Sequence, residues 1–98
     1  MNQINQFHKV EQDGRLHFLI FEVGDQLRPF SVGLLNEMVD ANEAHIALDM
    51  LSELLVEAGA RLSREFVDDV STIARNMGLS SETGDRLRPL IKESPPSP

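Results

Sequence analysis

The segment EAHIALDMLSELLVEA at residues 43–58 constrains this chain most, because its apolar residues can be buried together in only one way. Ala44, Ala47, Leu48, Leu51, Leu54, Leu55 and Ala58 recur at spacings of three and four, which sets them on one face of a helix. Asp49, Glu53 and Glu57 follow at i, i+4 and i+8 on another face. Asn42 reads as the N-cap, Glu43 suits the positive end of the helix dipole, and Gly59 supplies the stop. Such a helix must cover its apolar face with other elements, and the rest of the chain provides them.

Residues 64–77 predict a second helix. Ser63 caps it, Leu62 can pack against Val67 across the cap, and Phe66, Val67, Val70, Ile73, Ala74 and Met77 form its apolar stripe. Gly78 followed by Leu79 reads as a Schellman ending. A short last helix is expected from Ser80 or Ser81 to Lys92, with Leu87, Leu90 and Ile91 inward and Pro89 as a weak point. Upstream, Phe30, Leu34, Leu35, Met38 and Val39 predict a helix over 30–41.

Residues 6–23 read two ways. Glu11-Gln12-Asp13-Gly14 can turn a β-hairpin between FHKV and RLHFLIFEV, and LHFLIFEV can equally form a short buried helix. The expected architecture is therefore all-α in the main, a bundle of four to five helices with an N-terminal hairpin as the alternative. It forms one domain over 1–92, followed by a Pro/Ser-rich tail at 93–98 that cannot join a core.

Composition narrows the function. Hydrophobic residues at 41% and charged residues at 26% are the values of a folded domain rather than a disordered chain. The net charge of −7 repels phosphate backbones and anionic membranes, which argues against direct nucleic-acid or membrane binding and for a basic protein partner. With no cysteine there is no disulfide, thiolate nucleophile or cysteine metal site. Residues 1–10 lack the pattern of a secretory signal, and the longest apolar run, 18–21, is far too short for a bilayer, so the cytoplasm is the expected location.

No constellation for catalysis stands out. His8, His17 and His45 are scattered outside any metal-binding spacing, and His45 with Asp49 one turn later reads as a surface pair. Ser31, Ser52, Ser63, Ser71, Ser80 and Ser81 read as caps or solvated positions, and neither a GxSxG, a P-loop nor a GxGxxG occurs. The expectation is a protein without enzymatic activity, cofactor or metal.

One feature is unusual. Between Arg28 and Arg61 there is no lysine or arginine, while Glu37, Asp40, Glu43, Asp49, Glu53 and Glu57 all fall in that window. A helix face kept merely soluble gains from Glu–Lys pairs at i, i+4, each adding some tenths of a kcal/mol. Here that gain is absent, so the carboxylates are candidates for a binding face completed by a cationic partner. Ile46, Met50 and Val56 flank them as candidate anchors, with core packing as the ordinary alternative.

These residues also carry a resemblance. Glu43, Ala47-Leu48-Asp49-x-Leu51, Leu55-x-Glu57, Leu62-Ser63-Arg64-Glu65 and Met77-Gly78-Leu79 resemble the pattern of the MafI-type immunity proteins of bacterial toxin systems, with Asp49 where that family more often has Glu. The match runs over about residues 36–91 and leaves the first 35 unmatched in detail. The resemblance implies a helical antitoxin that binds a cognate toxin domain, often a nuclease, inside the producing cell. Two other readings compete. One is a small helical regulatory or adaptor module, including a homodimer joined by an apolar face. The other, a helix-turn-helix DNA binder, needs a basic recognition helix, whereas residues 64–77 offer Arg64 and Arg75 against Glu65, Asp68 and Asp69.

Overall fold

Five helices follow one another in the computed structural model, which describes residues 2–92 with side chains from Val10 onward. The tail expected at 93–98 lies outside the described residues. α1 spans Asn2–Val23, so the hairpin alternative does not hold. The reason lies in spacing: Leu16, Leu19, Ile20 and Val23 are all buried, and only a helix turns these four positions to one side. The Gln12-Asp13-Gly14 stretch that could have turned a hairpin runs on as helix.

A 3₁₀ turn at Gly24–Gln26 ends α1. The Gln26 amide clamps the backbone of Arg61 from both sides, accepting from its N–H at 2.7 Å and donating to its carbonyl at 2.9 Å. α2, Pro29–Asp40, starts with Pro29 in its first turn, where a missing N–H costs nothing, and buries Leu35 and Val39. α1 and α2 are latched by His17, whose Nδ1 lies 2.7 Å from Asn36 Oδ1 and whose Nε2 lies 2.9 Å from Asp40 Oδ1.

Only the imidazolium satisfies both acceptors with a donor, and the His17 pKa is accordingly raised above 6.5. The Asn36 hydrogen bond is the largest cause, and burial opposes it. Because the folded pKa lies above the unfolded one, the latch contributes fully below pH 6.5 and is lost as pH rises through the raised value. The side chains are 35% and 74% exposed, so solvent screening holds the effect below about 1 kcal/mol. Thermal unfolding of the parent is expected to weaken slightly from about pH 6 to about pH 8. His17→Gln should flatten that profile, and an unchanged slope would show that His17 is not its source.

α3, Ala44–Ala58, buries Ala47, Leu48, Leu51 and Leu55 as its spacing predicts, but Ala58 is exposed and Ser52, expected at a cap or solvated position, is buried with them. Its start differs from expectation. Asn42 is not its N-cap: it sits at φ +68 as the left-handed residue closing α2, where Glu43 N–H reaches Met38 O at 2.8 Å. Glu43 takes the N-cap place of α3 without a side-chain bond. At the other end Gly59, at φ +61, lets Ala60 N–H return to Leu55 O, as the glycine stop predicts.

α4, Arg64–Asn76, follows expectation closely. Ser63 Oγ accepts from Phe66 N–H at 3.1 Å, the stripe from Phe66 to Ala74 is buried, and Gly78 at φ +77 closes the helix. The last segment does not form one helix to Lys92. α5 is a single turn, Glu82–Asp85, followed by a 3₁₀ turn at Arg88–Leu90 that contains Pro89. Ile91 then leaves helical geometry and pairs with Leu62 in a parallel bridge. Leu62 N–H donates to Leu90 O at 3.0 Å and Lys92 N–H to Leu62 O at 2.9 Å. One buried cluster runs from Leu16 on α1 to Leu87 beyond α5, with Phe66 as its only phenyl ring among the described residues.

Candidate protein-binding face

The carboxylates picked out by charge lie on α2, α3 and the turn between them, but they do not form one uncompensated ridge. Asp40 is turned toward α1, where it meets His17. Asp49 and Glu53 share a cation that the local sequence does not offer. Arg86, just past α5, folds back so that its Nη1 lies 3.3 Å from Asp49 Oδ1 and 3.6 Å from Glu53 Oε1. Neither approach is an aligned hydrogen bond. His45 is not the partner of Asp49, contrary to the expected surface pair; the Thr83 hydroxyl approaches Asp49 instead, at 3.5 Å.

The seam beneath explains why Arg86 is there. Ser52 is buried on the α5 side of α3 and donates to Thr83 O at 2.8 Å, which fixes α5 beside the acidic stripe. Gly84 lets α5 approach α4, because a Cβ there would lie 3.0 Å from Ser71 Cβ and 3.2 Å from Ser71 Cα. The absence of basic residues from the window between Arg28 and Arg61 is therefore partly offset in space by a residue from the far end of the chain.

Glu37, Glu43 and Glu57 remain exposed, without an ion-pair partner among the described residues. Two of the three candidate anchors join them at the surface. Ile46 and Val56 are each 44% exposed, while Met50 packs against the core. By helical phase Ile46 and Val56 flank Asp49, Glu53 and Glu57 on the side of α3 away from Leu51 and Leu55. The neighbouring helix α2 adds Phe30, 80% exposed, and Leu34 at its own surface. A shallow depression at the α2–α3 junction is lined by Arg28, Ser31, Leu54 and Glu57.

Sequence reading missed Phe30, Leu34 and Arg86. Phe30 and Leu34 had been placed on the apolar stripe of α2, and only the buried pair Leu35 and Val39 sets the true inward direction. Arg86 carried no local signal.

Among the described residues no cluster of three or more histidine, aspartate or glutamate side chains is gathered to hold a metal ion, and no helix is long and apolar enough to cross a membrane. Compared with known protein families, curated proteins and solved structures, the chain matches none.

Proposed function

We propose that this chain is an immunity protein that neutralises a cognate bacterial toxin domain, a nuclease, by stoichiometric binding through the outer face of α2 and α3 in the cytoplasm. The observation that carries the proposal is the exposure of Ile46 and Val56 beside the Asp49–Glu53–Glu57 stripe, with Glu37, Glu43 and Glu57 left without a cation. A basic groove evolved for phosphates would find complementary charge there, and the two aliphatic side chains supply the apolar contact that long-range attraction lacks. The resemblance of residues 36–91 to MafI-type immunity proteins points the same way. The protein has no reaction of its own in this reading and needs neither cofactor nor metal.

Asp49 and Glu53 contribute less than their number suggests, because Arg86 already offsets them. The steering charge resides chiefly in Glu37, Glu43 and Glu57. Co-expression with a basic nuclease toxin domain from the genome that encodes this chain tests the proposal: the parent should restore growth, and Ile46→Asp with Glu57→Lys should fail to do so while keeping the parent's circular dichroism. Full protection by that double variant would remove α3 from the interface. Persistent toxicity with the parent, and no complex on gel filtration, would end the antitoxin reading.

A further inference from the structure

α1 has a second exposed apolar stripe, on the side opposite the core. With about 100° between successive residues, Leu16, Leu19, Ile20 and Val23 define the inward side, and Val10, Gly14, Phe18 and Phe21 fall on the reverse. The side chains of Val10, Phe18 and Phe21 are 72%, 64% and 80% exposed. Isolated exposed leucines are ordinary, but two phenyl rings one turn apart on a solvent face are not. Between Val10 and Arg15 no residue is buried, and Gly14 and Arg15 border a depression shared with Asp69 and Ile73 of α4.

The stripe has a symmetry that identifies its occupant. Reflecting the helix about residue 14 exchanges position 10 with 18, so Val10 of one copy meets Phe18 of the other and the apolar stripe faces itself. Gly14 lies at the centre. A glycine inside a helix costs about 1 kcal/mol relative to alanine, and nothing in the chain requires it, since a Cβ at Gly14 would meet no atom within 4 Å. On a two-fold axis its role is clear: it lets two backbones cross closely. The flank away from α2 is also self-complementary, because Arg15 falls on the same side as Glu11 and within one turn of Glu11 of a second, antiparallel copy.

We infer that the outer face of α1 pairs antiparallel with the same face of a second copy of this chain, about a dyad at Gly14. The phenyl rings of Phe18 and Phe21 in both copies would together remove roughly 500 Å² from water. The rest of the stripe and its flanks bring the total toward the roughly 1,200 Å² of a small specific interface. This pairing goes beyond the toxin-binding reading and is independent of it, because α1 turns this face away from the core and the proposed docking face lies on α2 and α3.

The full chain tests the pairing. Sedimentation of the parent should show a concentration-dependent rise from 11.0 kDa toward twice that mass. Phe21→Asp should weaken association at least tenfold with the circular dichroism unchanged. Because the chain contains no cysteine, single cysteines also report the geometry. Gly14→Cys should oxidise readily to a linked dimer. Phe21→Cys should not, since antiparallel pairing separates the two copies of position 21 by about 20 Å along the helix. A parent that stays monomeric at every concentration overturns the inference. So does a Phe21→Cys variant that links as fast as Gly14→Cys, which would mean parallel pairing. A monomeric chain whose Phe21→Asp variant loses toxin binding would assign the stripe to that partner instead.

Discussion

Replacing Phe66 by alanine is expected to destabilise the fold by about 3–5 kcal/mol. Phe66 is 1% exposed and is the only phenyl ring in the core among the described residues, so no other aromatic side chain can fill the space it leaves. It stands in the first turn of α4, where its backbone N–H is tied to the Ser63 cap, and this restricts how far α4 can collapse inward. A domain of this size has roughly 5–15 kcal/mol in all, so the variant should retain a small margin. At about 4–8 °C per kcal/mol, its Tm should fall by roughly 12–40 °C. Phe30→Ala is the internal control: it makes the same chemical deletion at a position 80% exposed and outside the α1 pairing face and should stay within about 0.5 kcal/mol of the parent. Equal losses at the two positions would contradict the assignment of inside and outside. Chemical denaturation of both variants settles the comparison.

Gly84→Ala should be the most damaging addition of a single methyl group, at roughly 2 kcal/mol. The glycine is needed for room rather than for backbone freedom. An added Cβ would collide with Ser71 Oγ and also lie 3.0 Å from Ser71 Cβ and 3.2 Å from Ser71 Cα. The hydroxyl can rotate away, but the backbone of α4 cannot, so α5 must shift. That shift would disturb the Ser52–Thr83 bond and, with it, the position of Arg86 between Asp49 and Glu53. Combining Gly84→Ala with Ser71→Gly should recover part of the lost stability, because the Oγ and Cβ contacts go while the approach to Cα and the cost of about 1 kcal/mol for a glycine inside α4 remain. Failure of the second change to rescue the first would show that the cost does not arise at this contact.

Much of the fold is legible in the sequence wherever a helix carries both its stripe and its punctuation. Ser63, Gly59 and Gly78 each do what local chemistry predicts, and α3 and α4 follow within a residue or two. Asn42 shows where local reading divides: a small polar residue between two helices can cap the second or close the first. The Met38 carbonyl decides for the first. The N-terminal ambiguity has a similar cause, since four buried aliphatics and two exposed phenylalanines in a run of eight satisfy either period until the core chooses a side. Pro89 signalled trouble in the last helix, but the bridge from Ile91 to Leu62 is a long-range pairing with no local trace.

The residues of the candidate face were legible as a charge pattern and only partly as a geometry. A window without basic residues does gather six carboxylates on α2, α3 and the turn between them. What sequence distance hides is that Arg86 and His17 come from outside the window to meet Asp49, Glu53 and Asp40. The carboxylates left over, and the apolar side chains beside them, emerge only once the helices are placed.

The kinetics of toxin-domain binding to Glu37→Lys/Glu57→Lys test the central proposal most directly, measured by stopped flow across a range of ionic strength. If this face steers the partner, association at low salt should slow at least tenfold relative to the parent. The difference should shrink as added salt shortens the Debye length from about 10 Å toward about 3 Å. Equal association rates for parent and variant at low salt would place the interface elsewhere on the molecule.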